Sequence, residues 1–338
     1  MKPQVTVGGV PLTAIGGWGG LKVTTQWPYG AWELGWSMTL DPDERPPALV
    51  ERALVEATIG GLPFLPGYLS ELDWDEGNFT ASGAAREGED ALCLNADRSD
   101  STTILDAAID NAHARGAITW TRLGSLSATA FADGDTTAQV PYITALADAV
   151  TQAAGKRWAV NGDRQAYAAA DPTEPDWYVA YGSGVLGVAD DKLVGTLYGR
   201  WYDSNGDPHV AVAGSGNPEA AVDLTSLGAI TAAKATATLQ AVLVQSPARL
   251  GITNSVTVTV DQITSPRGGH PHPTQVRAGQ MARMVGLIDP RTWAPWTDMV
   301  LGQTVWDVDA ATIELSPVDL LERDLSSIIE GLGGSLAS

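Results

Sequence analysis

The strongest constraint on the fold is a run of alternating residues near the N-terminus. Smaller or polar residues separate large apolar side chains at every second position, namely Trp32, Leu34, Trp36, Met38 and Leu40. Because successive side chains of a β-strand point to opposite faces, this period of two predicts a strand with one fully apolar face. Such a face has to be buried, so the sequence predicts a β-rich fold around it.

The rest of the N-terminal region shows the same kind of pattern. Strands are predicted at 50–58, 63–69 and 78–83, and Gly60-Gly61 marks a hairpin connection between the first two. Residues 1–97 are therefore predicted to form a small β-barrel or sandwich.

From about residue 98 the apolar positions recur at helical spacing. Ser101 or Thr102 can cap a helix that Gly116 ends, and a second helix is predicted to begin at Pro141 and to end near Gly155. Strands are predicted at 117–120 and 157–160. Residues 98–172 are therefore predicted to be an α+β insertion.

A second β region is predicted over residues 173–315. Its strands include 176–181, 196–202 and 209–212, and turn residues separate the last two. A helix rich in small residues, at about 227–245, interrupts the region. The predicted fold class is thus mainly β, with an α+β insertion and a helical excursion.

The C-terminal segment, residues 316–338, is predicted to begin with a helix. Ser316 can cap this helix, and Pro317 can take its first position. Its apolar residues form a stripe that must be buried on another surface: Leu320, Leu321, Leu325 and Ile328. We expect this stripe to pack on the second β region or on a neighbouring subunit, and so to take part in assembly.

Composition restricts the function further. The chain has 40 Asp and Glu against 20 Lys and Arg, a net charge of -20, and such a surface disfavours a reader of nucleic acid. The N-terminus lacks an apolar signal segment, and no window approaches the roughly 18 apolar residues of a spanning helix, so we expect synthesis in the cytoplasm without membrane insertion. The single cysteine, Cys93, excludes an internal disulfide, and its leucine neighbours favour a buried structural thiol.

Two motifs resemble ligand-binding loops. Residues 182–187 fit GxGxxG, but no helix is predicted after them to hold a pyrophosphate, so a glycine-rich β turn is favoured. Asp203, Asn205 and Asp207 resemble the start of a calcium loop, yet Pro208 stands where that loop needs glycine and Gly214 where it needs glutamate. A hairpin turn is favoured there.

Histidines and an acidic cluster are the remaining candidates for chemistry. His270 and His272 offer two imidazoles without a nearby cysteine or third histidine, so a solvated loop is favoured over an ion on the symmetry axis of an oligomer. Asp73 and Asp75 flank Trp74, which suits a glycosidase, but a solvated turn with one core aromatic explains them as well. Since no motif is complete, we predict no catalytic residue, no cofactor and no metal.

The order of elements in the last third of the chain resembles a known family. A small-residue helix pattern leads into an alternating strand at 255–260 and then into a loop rich in Pro, Gly and His. A glycine-marked turn and strand follow at 276–286, and the segment closes with residues 306–315 and a helix predicted to be capped at Ser316-Pro317. This order resembles the hub or minor tail protein at the tip of long-tailed bacteriophages, especially phages of actinobacteria.

The resemblance implies a structural function in the virion. In that family two similar barrels, each resembling the tail-tube subunit, carry an α+β insertion and a helical excursion. Three subunits then present six barrels, which joins a sixfold tail tube to a threefold tip and forms the channel for the tape-measure protein and DNA. The chain is therefore expected to be a homotrimer at the tail tip.

The resemblance also implies the partners. These are further copies of the chain, the distal tail or tail-tube protein, the tape-measure protein and other minor tail proteins, with DNA only as passing cargo. The alternative function, favoured by 12 tryptophans, is a cell-wall glycan-binding or glycan-hydrolysing tail protein.

Overall fold

The fold is mainly β, as the sequence predicts. It consists of a large curled sheet shaped like half a barrel, a second small sheet and several helices. The computed structural model describes residues 3–39, 45–94, 104–126, 142–154, 156–185, 195–217, 219–225, 228–245, 255–288 and 293–318.

The elements are numbered in chain order. The strands are β1 (Gln4–Val7), β2 (Val10–Pro11), β3 (Gly17–Gln26), β4 (Tyr29–Thr39), β5 (Leu54–Ile59), β6 (Leu62–Asp73), β7 (Asn78–Gly83), β8 (Thr121–Arg122), β9 (Arg157–Val160), β10 (Gln165–Ala169), β11 (Trp177–Val185), β12 (Thr196–Tyr202), β13 (Pro208–Gly214), β14 (Glu219–Asp223), β15 (Val256–Thr259), β16 (Ile263–Thr264), β17 (Met281–Ile288), β18 (Trp296–Asp307) and β19 (Thr312–Pro317). The helices are α1 (Leu12–Ile15), α2 (Glu87–Asp90), α3 (Ile104–Ala114), α4 (Ile143–Ala153) and α5 (Ala232–Gln245).

The large sheet joins the two ends of the chain. Its strand order is β16-β11-β17-β18-β3-β4-β7-β6-β5-β1-β2, so strands from both predicted β regions are neighbours. The junction is the antiparallel pair β3 and β18, where the hydroxyls of Thr25 and Thr304 lie 2.7 Å apart although 279 positions separate them in sequence. Both regions consequently share one hydrophobic core, which includes Leu34 and Trp36 of the alternating strand β4.

The helices α3 and α4 pack around a second core. Trp120 and Trp158 are fully buried in it, and their rings lie 5.8 Å apart. Strand β9 attaches this part to the sheet because it pairs in parallel with the start of β4. The close approach of these two backbones requires glycine at position 30. Gly30 has φ +86°, and a Cβ there would lie 2.4 Å from the Val160 carbonyl oxygen.

The second sheet has three strands in the order β13-β12-β14. Helix α5 covers one of its faces, and Leu197, Trp201 and Leu239 are buried between them in a third core. The predicted hairpin at residues 203–207 connects β12 and β13, which confirms that prediction.

Three predicted elements begin at a different residue in the structure. The helix predicted from 227 begins at Ala232, because the Thr231 hydroxyl caps it by accepting the amide of Lys234. Residues 117–120 are not a strand, since Trp120 is buried in the helical core and pairing starts at Thr121. The strand predicted from 50 starts at Leu54, after a turn in which residue 52 has φ +62°.

The predicted cap of the C-terminal helix is also wrong. Ser316 and Pro317 end β19 and pair with Gln303 and Leu301 of β18. A register shift between these two partners forms a bulge, which suits proline because it has no amide hydrogen for the ladder. The stripe of Leu320, Leu321, Leu325 and Ile328 lies outside the described residues.

Candidate functional site

The described part of the GxGxxG motif, residues 182–185, belongs to a bulged strand and not to the turn that its sequence predicts. Gly182 and Gly184 lie in β11, whose pairing with β17 is irregular between Ala180 and Gly184. A Cβ on Gly286 of the neighbouring strand would come within 1.9 Å of the Gly182 carbonyl oxygen. Gly286 therefore permits the two backbones to approach closely, whereas a Cβ on Gly182 or Gly184 would meet no clash. Positions 186 and 187 lie outside the described residues.

The aspartates of the calcium-like motif stabilise a hairpin turn. The Asp203 carboxylate accepts the amides of Asn205 and Asp207 at 2.8 and 3.0 Å. Its other oxygen lies 3.0 Å from Nε2 of His209. The hydrogen bond with His209, and then those from the backbone, lower the pKa of Asp203. The carboxylate is thus engaged within its own turn.

The two neighbouring histidines do not converge. His270 Nδ1 donates to the Ile263 carbonyl oxygen at 2.9 Å. Nδ1 of His272 lies 2.9 Å from the Thr274 hydroxyl, and its ring stands edge-on to Trp306. Among the residues that the structure describes, no three His, Cys, Asp or Glu side chains are grouped so as to hold a metal ion.

The acidic cluster around Trp74 also forms a turn. Asp73 ends β6 and accepts the amides of Asp75 and Glu76, both at 3.1 Å. Trp74 is half-buried, packs edge-on against Phe79 and lies under the guanidinium of a nearby arginine. The sequence interpretation of a solvated turn with one core aromatic is therefore confirmed.

One half-buried carboxylate connects the helical part to the large sheet. Asp148 of α4 accepts hydrogen bonds from the indole of Trp158 at 2.7 Å and the hydroxyl of Tyr29 at 3.0 Å. Burial raises the pKa of Asp148 to about 6, although both hydrogen bonds act in the opposite direction. Burial, followed by the Asp148 charge, raises the pKa of Tyr29.

Two further carboxylates act at the same junction. Glu87 accepts the amide and hydroxyl of Thr119 and lies 3.6 Å from Arg164, whose guanidinium donates to the Gly67 carbonyl oxygen on β6. Asp171 accepts the indole N–H of Trp27 at 2.9 Å and pairs with an arginine of β9 at 3.0 Å. These carboxylates have structural partners, so they hold the helical part in position on the sheet.

The tryptophans are mostly structural. Ten of the 12 are buried or half-buried, and the thiol of Cys93 is buried as predicted. The two exceptions are Trp293, with 75% of its surface exposed, and Trp296, with 39%. Neither residue belongs to a motif that predicts a functional site. Trp293 lies in the connection that precedes β18, and Trp296 is the first residue of that strand. Pro295 between them is the sequence signal that could have marked the pair.

No helix within the described residues is long and apolar enough to cross a membrane.

A curled sheet, a small second sheet and inserted helices together define a fold found in tail proteins of known structure. The chain superposes on the 43 kDa tail protein of prophage MuSo2 from Shewanella oneidensis with a TM-score of 0.56 and 15% identity, over 95% of this chain and 100% of that one. It superposes on the tail protein from Neisseria meningitidis MC58 with a TM-score of 0.54 and 13% identity, over 93% of this chain and 94% of that one. No protein-family model and no curated protein sequence matches the chain. At these identities the likeness establishes the fold.

Proposed function

We propose that the chain is a structural subunit of a bacteriophage tail. The observation that carries this proposal is the extent of the structural likeness, which covers 95% of this chain and 100% of the Shewanella tail protein. A single shared module would match only part of each chain. The common feature is therefore the arrangement of the sheets and helices together, and it recurs in a second tail protein.

Within the tail, we propose that the chain is the hub of the tip, a homotrimer around the tail axis. The order of elements in the last third of the sequence supports this position. Strand β15 supports assembly, since it pairs with β19 on one side and ends the sheet there within the described residues. An uncovered edge of this kind needs a partner. The proposed partners are the distal tail or tail-tube protein, the tape-measure protein and other minor tail proteins, and the lumen passes DNA.

Glycan binding is the second candidate, favoured by the exposed rings of Trp293 and Trp296. The acidic pair that would suit glycan hydrolysis is not supported, because Asp73 is occupied by the backbone of its own turn. Isothermal titration with host wall fragments separates the candidates. A hub should release no heat of binding, whereas saturable heat of binding would favour a glycan-binding protein.

The tail proposal is tested on purified particles. Mass spectrometry should find the chain in the virion, and a gold-labelled antibody should mark the end of the tail distal to the head. Absence of the chain from particles would contradict the tail function. Label on the head or along the tube would contradict the tip position alone.

A further inference from the structure

The outer face of β11, β17 and β18 presents an exposed apolar row. Ala180, Val285 and Trp296 are cross-strand neighbours, and all three are exposed, Val285 to 46%. Side chains on the opposite face, such as Val179 and Met284, are fully buried in the core. The exposed row therefore contributes nothing to that core, and contiguous exposed apolar surface marks interaction sites.

The next row on the same face is polar and fixed in place. Tyr178, Arg283 and Asp298 are cross-strand neighbours. The Arg283 guanidinium donates two hydrogen bonds to the Asp298 carboxylate, each 2.7 Å long. The same guanidinium lies 5.1 Å from the centre of the Trp296 ring. These contacts hold the arginine and the indole in one arrangement, which lowers the entropy lost on binding.

A second exposed indole, that of Trp293, lies in the connection that directly precedes β18. Trp293 is 75% exposed and has φ +57°, a backbone conformation that residues other than glycine rarely adopt. Backbone strain of this kind concentrates at binding and switch sites. Trp, Tyr and Arg together are the side chains that dominate binding energy at protein interfaces.

We infer that one exposed surface, here called the aromatic face, is a docking surface for a second protein. The aromatic face consists of Tyr178, Ala180, Arg283, Val285, Trp293 and Trp296. The contact region of the second protein has an apolar pocket for the indole rings and a rim of Lys or Arg. The inference rests on the proposed tail function, since the partner would be another tail subunit.

Charge selects a basic partner. Among the described residues of the face, Arg283 is the one cation, and Asp298 neutralises it. Two exposed carboxylates lie nearby: Asp176 directly precedes β11, and Asp261 is next to Gln262, whose side chain donates to the Ala180 carbonyl oxygen. The whole chain carries -20, so a second copy would bring more negative charge to the contact. Complementary potentials favour a partner with a positive surface.

The polar row disfavours a sugar. An indole ring could stack on a sugar, but recognition of hydroxyls also needs free donors and acceptors. Arg283 donates two of its five N–H groups to Asp298, so each oxygen of that carboxylate already accepts a hydrogen bond. A protein pocket, which needs mainly apolar contact, fits this surface better.

The test is photo-cross-linking in the assembled particle. Trp293→p-benzoylphenylalanine places a reactive group on the aromatic face, and Leu62→p-benzoylphenylalanine places it at a site of matched exposure, 74%, on the β5–β6 hairpin. Irradiation of purified particles should join position 293, and not position 62, to a different protein through a peptide that contains apolar and basic residues. Cross-links to this chain, residues 319–338 included, to a glycan, or to nothing would overturn the inference.

A second measurement supplies the effect on affinity. Trp293→Ala combined with Trp296→Ala should lower the copies of the chain per particle at least about tenfold, as expected for loss of two central aromatic contacts. Leu62→Ala should leave the copy number unchanged. An unchanged copy number in the double variant overturns the docking surface while the tail function stands. Absence of the unmodified chain from particles overturns both.

Discussion

At the residue scale, the most informative group is the half-buried carboxylate of Asp148. Its burial costs solvation energy when it is ionised, and the two hydrogen bonds from Trp158 and Tyr29 offset only part of that cost. Because burial is the larger effect, the pKa is about 6 in the folded protein against 3.8 for the unperturbed group. The folded state therefore binds this proton more tightly than the unfolded state.

This difference predicts a pH dependence of stability. The stabilising contribution of protonated Asp148 is fully present below pH 3.8 and is lost as pH rises through about 6. Between pH 5 and pH 8 the wild type should lose about 1 kcal/mol of unfolding free energy from this group. Asp148→Asn should remove this part of the pH dependence, as measured by urea unfolding at both pH values.

The matched control for this measurement is Asp163→Asn, which changes an exposed carboxylate in the turn before β10. It should keep the wild-type loss of stability between pH 5 and pH 8. An Asp148→Asn protein with the same loss as the wild type would show that burial does not raise this pKa.

At the element scale, the pairing of β4 with β9 decides how the helical part is attached. We predict that Gly30→Ala destabilises the protein by roughly 3 kcal/mol, because the new Cβ meets the Val160 carbonyl oxygen in addition to the strain of positive φ. Gly61→Ala has a similar φ, +81°, with open space around it, and should cost only about 1 kcal/mol. Equal losses in chemical denaturation would contradict the close approach.

The C-terminal stripe carries a prediction on assembly. Replacing Leu321 and Leu325 by Asp should block incorporation of the chain into particles, because charge on the stripe prevents its burial. Ser326→Asp adds a carboxylate on the side of the predicted helix opposite the stripe and should assemble normally. Normal particles from the double Leu variant would refute a role of the stripe in assembly.

Much of the element structure follows from local sequence. The alternation in β4, the Gly60-Gly61 hairpin and the turn at residues 203–207 are local signals, and each occurs where the sequence places it. Ser316-Pro317 misleads because a strand that ends opposite a bulge and a helix that begins with proline can share the same dipeptide. Only the pairing partner, β18, distinguishes the two.

The aromatic face could not be predicted for a related reason. Whether Trp296 points to the core or to solvent depends on the register of β17 against β18, which the sequence of one strand does not specify. The same holds for Asp148, whose burial depends on Tyr29 and Trp158 from two other elements. A local sequence pattern predicts single helices and strands. The aromatic face and the Asp148 site instead form where elements that are distant in sequence meet.

At the scale of the whole molecule, the large sheet makes one unit of the two ends of the chain. The β3–β18 pair brings residues near position 25 against residues near position 304, so both ends must fold before the core is complete. The structural likeness to the Shewanella tail protein likewise extends over 95% of this chain.

The net charge carries a prediction for the assembled tip. Three chains of -20 each would carry -60, and a channel wall that repels phosphate lets DNA pass without salt-dependent adhesion. Carboxylates should therefore outnumber Lys and Arg on the lumen surface in a reconstruction of the tip. Acidity confined to the outside would indicate a role in solubility alone. A lumen lined mainly by Lys and Arg would overturn the explanation that the channel wall repels the phosphates of DNA.

The central claim, a threefold hub at the end of a sixfold tube, is tested most directly by counting. Isotope-dilution mass spectrometry of purified tails can give the copies of this chain per tail, with the tube subunit as the internal reference. The claim predicts three copies per tail. Six copies or one copy would contradict it.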